Sequence, residues 1–490
     1  MPIVAGVDSS TQSCTVELRD GDSGQLLSRG RRPHPPTYPP VSEQRTADWW
    51  AAFAGALHDA AAAAGVQVRD VDAISVGAQC HGLVAMDAAG EVLRPVKLWN
   101  DTTSAPQAAA MVEKLGVERW VRSAGSLPTA AFTITKLRWL AEHEPDILRR
   151  VRHVCVPHDW LTYKLTGRHV TDRSDASGTG YFSVEGRWMP EFLAELVSPV
   201  LDWPAILPHV LGPSEAAGTV QSSAAAELGL RANVLVGPGA GDQHAGAVGL
   251  GLAEGEVLYS LGTSGVVITV SPAPVADLSG MVNSVADAAG GFLPLVCTLN
   301  CTKVTDTWAR LLNVNHDELA ALALAAPLEE ARPVLAAYFD GERSPNRPLA
   351  RGLLGNLSNE TTREQLALAA FEGVLLGLLA GHAAMQASGA RADGRVVVTG
   401  GGGRSPAYRQ VLADLLGQPV HLLDAPEATA RGACVQAAAV LQGRDIRAVR
   451  EEWRPPLLAV CKPRPGSVRS AAAGYETLAE MADRLRIFPA

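Results

Sequence analysis

The chain lacks several features that would announce a function. It has no Cys-x-x-Cys pair, no GxxxxGK[ST] phosphate loop and no GxGxxG turn. It also has no positive excess: 42 Lys and Arg stand against 51 Asp and Glu, a formal charge of -9. That balance argues against a general nucleic-acid binder, which presents a basic face, although local backbone N–H groups still bind anions. Cys297 and Cys301 have no His or Cys cluster beside them to complete a zinc site, and the seven cysteines form an odd set. The expectation is free thiols in a reducing compartment. The start, MPIVAGVDSS, shows neither a basic leader region nor a cleavage site, so a cytoplasmic protein is expected. The longest apolar run, LALAAFEGVLLGLLAG from Leu366, is broken by Glu372 and is shorter than a span of ~20 residues, so it predicts a buried core helix with no membrane contact.

What the sequence does hold is an alternation of strand-like and helix-like segments over 490 residues, 47% of them hydrophobic, which predicts an α/β class with a large core. Residues 3–7 and 14–18 flank the polar stretch DSSTQS and predict a hairpin. The segment from Asp48 to Gly65 predicts a helix with Asp48 at its N-cap. DAISVGAQCHGLVAMD predicts two short strands around Gln79–Gly82, and TITKLRWLAEH at 133–143 opens another helix. GEVLYSLGTSGVVITVS, from Gly255, repeats the plan of the first hairpin, so two related halves are expected, joined near 246–256. RRPHPPTYPP at 31–40 predicts a surface loop. Tyr475, Leu478, Met481 and Leu485 fall at helical spacing and predict a docking helix near the end.

Three turns have the chemistry of phosphate cradles. The tip SSTQS offers short hydroxyl side chains and approachable backbone N–H groups, with Asp8 beside them to hold a Mg²⁺ ion through water. Taken alone, an ordinary Ser/Asp-rich turn is the simpler reading. The tip SLGTSG repeats the pattern with Gly262, Thr263 and Gly265. TGGGGRSP, from Thr399, places four glycines between a buried strand and a helix start, which suits a nucleotide. Asp242, in GPGAGDQHAG, has two open readings: a helix cap, or a base placed where a hydroxyl meets a phosphoryl group. AQCHG at 78–82 and LWND at 98–101 collect Gln79, His81, Asn100 and Asp101, groups that hydrogen-bond a polyol.

With these pieces together, the chain resembles the FGGY carbohydrate kinases. The resemblance rests on SEQRTADWW, AQCHG, LWND, TITKLRWL, VPHDWLTYKLTG, DRSDASGT, GDQHAGAVG, SLGTSG, DGERSP, FEGV and GGGRS, spread along nearly the whole chain. It implies two ribonuclease-H-like domains of the actin/hexokinase type around a cleft. The first, 1–249, would carry the sugar site, the first phosphate loop and the catalytic Asp; the second, 250–490, would bind ATP. It further implies that Asp242 is the catalytic base and that Asp8 lies near the metal and phosphates. Ser10, Thr11 and Gln12 would line the first phosphate loop, and Gly262 and Thr263 the second. Gly401, Gly402 and Ser405 would take the adenosine side. Cys80 and His81 would bind the sugar beside Gln79, Asn100 and Asp101. Within the family the motifs lean to members that phosphorylate D-xylulose; another ketose or polyol (ribulose, glycerol, a sugar alcohol) and a non-catalytic sugar sensor on the same fold stay open. The implied small molecules are a sugar, ATP and Mg²⁺, without nucleic acid or membrane, in a homodimer. Family members often carry Lys or Arg where this chain has Thr15, Met or Gln where it has Cys80, and Asn where it has Gln243.

Overall fold

The computed structural model describes residues 1–328, 332–465 and 470–484. The chain divides into two compact units: Met1–Gly251 with Ser284–Leu293 and Glu427–Pro455, and Leu252–Asn283 with Pro294–Pro426 and Pro456–Ala490. The first crossing, at Gly251, falls in the glycine-rich join, but the linear division at 249/250 is interrupted, because two later segments pack with the first unit.

The first unit is built on a seven-stranded sheet. β1 (Ile3–Ser9), β2 (Ser13–Asp20) and β3 (Leu26–Pro33) form an antiparallel meander. β4 (Val71–Ala78) lies parallel to β1 on its other side, with Asp8 opposite Gly77 and Ser9 opposite Ala78. β4 is buried on both faces at every residue but Asp72, as a strand covered on both sides is. The loop expected across 31–40 begins only after Pro33, since the β2 ladder holds the residues before it. The helix α1 (Thr46–Ala64) packs its Trp49, Phe53, Ala56 and Leu57 face into the core. Its N-cap is Arg45, so Asp48 sits inside the first turn, where its charge suits the helix dipole. Gly65 ends it in the left-handed conformation. The helices α2 (Thr133–His143), α3 (Pro157–Thr166) and α4 (Asp242–Gly249) follow.

In the second unit β5 (Val257–Leu261) and β6 (Gly265–Thr269) form the second hairpin, and β6 pairs with β7 (Phe292–Thr298). The helix α5 (Arg363–Ala387) is the one helix among the described residues long and apolar enough to cross a membrane, and 72% of its most apolar window is buried in the fold. Glu372, which broke the apolar run, is itself buried and paired with Arg332, Nη2 to Oε1 at 2.7 Å. β8 (Val396–Thr399) runs parallel to β5, then β9 (Val420–Leu423) follows β8 after the helix α6 (Pro406–Leu416). The terminal helix Ser470–Arg484 buries Tyr475, Ala479 and Ala482. Met481 was expected on that stripe and is exposed instead: six positions on from Tyr475 is well off the face that a 3.6-residue period repeats. Leu485 lies outside the described residues.

The helix α7 (Ala428–Gln442) belongs to the first unit and covers β1 and β4. It crosses α4 backbone to backbone. A Cβ added at Gly249 would collide with the Ala428 carbonyl and lie 2.7 Å from the Gly432 nitrogen, and one added at Gly432 would collide with the Ala245 carbonyl. Gly6 of β1 meets α7 in the same way at Ala430. Glycine in a helix normally costs up to ~1 kcal/mol relative to alanine. Here that sign reverses: Gly432→Ala is expected to destabilise the protein by about 1–3 kcal/mol, as overpacking does. Urea unfolding measures it, and a gain in stability would show that the helices are not so tightly apposed.

Candidate active site

The carboxyl ends of parallel strands are where α/β sheets gather their ligands. In the first unit three such ends lie side by side. β1 ends at Asp8 and Ser9, β4 runs on into Gln79, Cys80 and His81, and residues Ala240 and Gly241 pair with Gly77 and Ala78 just before Asp242. The β1–β2 turn is held from several sides. Ser10 Oγ donates to Asp8, Gln44 Nε2 donates to the Thr11 carbonyl at 2.9 Å, and His34 N donates to the Gln12 carbonyl at 2.8 Å. The Thr11 hydroxyl accepts from Trp99 Nε1 at 2.9 Å and donates to Gln79 Oε1 at 3.1 Å. Its side chain is thus committed to the wall of the site, while Gln12 is exposed and Ser10 half-buried.

Asp242 is the first residue of α4, and the cap is Gly241. The capping alternative for Asp242 is therefore not the arrangement found. Its Oδ1 accepts from the Cys80 thiol at 3.4 Å and from Gln243 N at 2.8 Å, and the Thr429 hydroxyl donates to its carbonyl at 3.1 Å. Burial raises its pKa above the usual carboxylate value, against which these donors work. Asp8 is pushed up to about 7, first by burial and then, despite the Ser10 hydrogen bond, by the charges of Asp242 and Glu427. Such a group of repelling carboxylates suits a divalent cation. Among the described residues no set of three or more His, Cys, Asp or Glu is arranged to cage a metal, so the donors present fit an ion that keeps most of its waters, as Mg²⁺ does.

His81 sits on a backbone with φ of 65°, and its ring stacks on Phe132 at 5.3 Å. Its N–H donates to Asp175 Oδ1 at 3.3 Å, and its carbonyl accepts from the Thr133 hydroxyl at 3.1 Å and Lys136 Nζ at 3.3 Å. Burial lowers the Lys136 ammonium to about 7. Behind it, His158 lies 3.2 Å from both Asp159 and Asp172 and 3.9 Å from Asp175. Burial disfavours the imidazolium, but the three carboxylates outweigh it and hold His158 at about 9. Asp175, Lys136 and His158 are the residues that motif reading left out of the site. Asp175 lies within DRSDASGT and Lys136 within TITKLRWL, but nothing local says that either reaches His81.

Two of the expected sugar ligands are spent on the fold. Gln79 is fully buried, with Oε1 accepting from Thr11 and Nε2 donating to Gln44 at 3.1 Å. Asp101 is fully buried, accepting from Ser42 N at 2.9 Å, Thr103 N at 3.0 Å and Lys97 at 3.3 Å. Burial alone would raise its pKa; the Thr103 hydroxyl, the Ser42 amide and Lys97 outweigh that and hold it low. Asn100 remains suited to a ligand: its Oδ1 is buried without a hydrogen-bond partner among the described residues.

In the second unit the two glycine turns leave neighbouring strand ends, since β5 and β8 pair in register from Val257 with Val396 to Ser260 with Thr399. The Gly262–Ser264 tip exposes Thr263 and Ser264. The glycines at 400–403 coil into one helical turn, where a helix was expected to begin only after them. Gly400 has φ of 82°, and a Cβ at Gly401 would meet nothing within 4 Å, so this backbone is open to a ligand. Ser405 is the N-cap residue of α6 but makes no side-chain cap bond.

A carboxyl raised from about 4 in the unfolded chain to about 7 in the folded one takes up protons on folding, so stability falls as pH rises through that window and the penalty is complete above it. Asp8→Asn removes the penalty. The ligand-free variant is expected to melt about 2–4 °C above the parent at pH 8 and level with it near pH 4. Equal gains at both pH values, or none at pH 8, would contradict the buried repulsion.

Comparison with known proteins gives the family. Residues 3–249 match the N-terminal domain model of the FGGY family of carbohydrate kinases, and residues 257–441 its C-terminal domain model. The chain is 41% identical over 454 residues to the xylulose kinase of Streptomyces coelicolor, covering 92% of this chain and 91% of that one. It is 34% identical over 425 residues to that of Escherichia coli, covering 84% of each. The crystal structure of xylulose kinase from Bifidobacterium adolescentis superposes with a TM-score of 0.86 at 36% identity, over 97% of this chain and 99% of that one. The two-domain actin/hexokinase-type fold implied by the sequence is the fold found. Kinases of this kind use ATP and a sugar as substrates, and this chain belongs to the FGGY family of carbohydrate kinases.

Proposed function

We propose that the protein transfers the terminal phosphoryl group of ATP to the primary hydroxyl of D-xylulose, giving D-xylulose 5-phosphate and ADP. The observation that carries the proposal is the placement of Asp242: a half-buried carboxylate of raised pKa, fixed through Oδ1 by the Cys80 thiol and the Gln243 amide, one strand end from His81. The bonds on Oδ1 leave Oδ2 to accept a proton. The similarity to xylulose kinases over about nine-tenths of the chain supports the choice of sugar.

Each residue then has a task. Cys80, His81 and Asn100 bind the sugar, and Lys136, Thr133 and Asp175 keep His81 in its left-handed turn. Asp242 orients the hydroxyl; as the oxygen bonds to phosphorus and the bond to ADP breaks, the proton passes to Asp242. Ser10, Gln12 and the backbone N–H groups around Thr11 hold phosphate oxygens; taken by itself, the second unit offers phosphate donors at Gly262 and Thr263 and an open nucleotide-binding backbone at Gly401, Gly402 and Ser405. Mg²⁺, held near Asp8 through water, would supply charge neutralisation on the phosphates.

An ADP-release assay over ketoses and polyols at fixed MgATP tests the proposal. D-xylulose is expected to give the highest kcat/KM. Glycerol, which leaves the hydroxyl-binding groups unpaired, is expected to fall below it by up to 10⁴–10⁵-fold at roughly the limit of such discrimination. Ribulose, glycerol or a sugar alcohol exceeding D-xylulose by about tenfold would overturn the sugar and leave the kinase. Asp242→Asn keeps the size of the side chain without its basicity, and kcat is expected to drop roughly 10²–10⁴-fold with the fold intact. More than about a tenth of the parent kcat in that variant would remove Asp242 from the role of base.

A further inference from the structure

Asp8 of β1, Thr15 of β2 and Arg31 of β3 form one row across the meander, by the registers Asp8 with Thr15 and Thr15 with Arg31. Directly paired residues of antiparallel strands project to the same face, so the Arg31 side chain stands on the face of Asp8 with only the short Thr15 between them. The other arginines of the meander are all matched to carboxylates: Arg19 and Arg29 to Glu17, and Arg32 to Asp59. Arg31 has no ion pair among the described residues. Its single hydrogen bond among the described residues, Nε to the Ser13 hydroxyl at 3.0 Å, draws the guanidinium along the strand toward the β1–β2 turn. Four of the five guanidinium N–H donors stay uncommitted, and the residue is exposed.

We infer that Arg31 is a substrate-binding residue, the cation that holds the phosphates of the nucleotide at the β1–β2 turn. The inference rests on the kinase reading above. A planar fork with free donors, fixed at one nitrogen and set beside a turn of hydroxyls, matches phosphate oxygens in both charge and geometry. Asp8 lies within the field of Arg31, which works against the burial that raises its carboxyl. The same cation therefore also offsets part of the repulsion at the strand end. Position 15, where a cation was expected from the family resemblance, holds a buried threonine, and Arg31 supplies the charge from the next strand.

The alternative is a solvated surface arginine, and its neighbour gives the control. Arg32 has the same charge but pairs with Cys14, on the opposite face, and binds Asp59 at 2.6 Å. Calorimetric titration of the full chain with MgATP is run for the parent, Arg31→Ala, Arg31→Lys and Arg32→Ala, alongside KM values for ATP and D-xylulose. Arg31→Ala is expected to weaken ATP binding about tenfold and raise the ATP KM in step, with the sugar KM unmoved. Arg31→Lys should recover part of the loss, and Arg32→Ala should stay within about twofold of the parent. An Arg31→Ala variant within about twofold of the parent, or matched by Arg32→Ala, would overturn the inference. If the parent binds ATP but no sugar elicits ADP release, the kinase reading fails and the titration still judges Arg31. If the parent binds no ATP, both fall.

Discussion

The glycine-lined crossing of α4 and α7 is the constraint on which the site depends. α4 begins with Asp242, and α7 carries Thr429, whose hydroxyl holds the Asp242 carbonyl at 3.1 Å. Glycine at 249 and 432 lets the two backbones touch, and Gly6 lets α7 settle on β1. Close-packed interiors do not deform gradually, so the height of α7 above the sheet sets where the start of α4 lies, and with it the carboxylate of Asp242. A segment from the far end of the chain thus fixes a residue near its middle against strands from its beginning.

That arrangement concentrates negative charge. The charges of Asp242 and Glu427 bear on Asp8, where burial already penalises ionisation. A purely structural site would neutralise or remove such groups, because an unmatched buried charge is costly. Their retention at adjoining strand ends fits a site that exchanges the repulsion for a cation and a phosphate when substrate arrives. The neighbouring His158 stands against three carboxylates, Asp159, Asp172 and Asp175, and Asp175 in turn accepts from the His81 N–H.

Local patterns in the sequence carried much of this. Both hairpins, the glycine turn before α6, the buried helix around Glu372, the strand end at Asp8 and the helix that starts at Asp242 follow from alternation, turn chemistry and spacing. The parts that were not legible depend on contacts distant in sequence. The return of α7 to the first unit is invisible in its own alanine-rich sequence, because any sheet could receive that face. Gln79 and Asp101 have the residue types of sugar ligands, and only the tertiary bonds to Thr11, Gln44, Ser42 and Lys97 show that those atoms are already used. Lys136 and Asp175 act on His81 through a backbone N–H and a carbonyl, groups that leave no signature in residue type.

A sugar kinase delivers the phosphoryl group to a sugar hydroxyl and not to water. Phosphorus NMR of the product formed from MgATP and D-xylulose reads this directly, since a phosphate ester on a CH₂ group shows coupling to its protons and inorganic phosphate shows none. Phosphorus lost from ATP is expected to appear as one proton-coupled ester matching D-xylulose 5-phosphate. Inorganic phosphate as the main product, with or without the sugar, would contradict it.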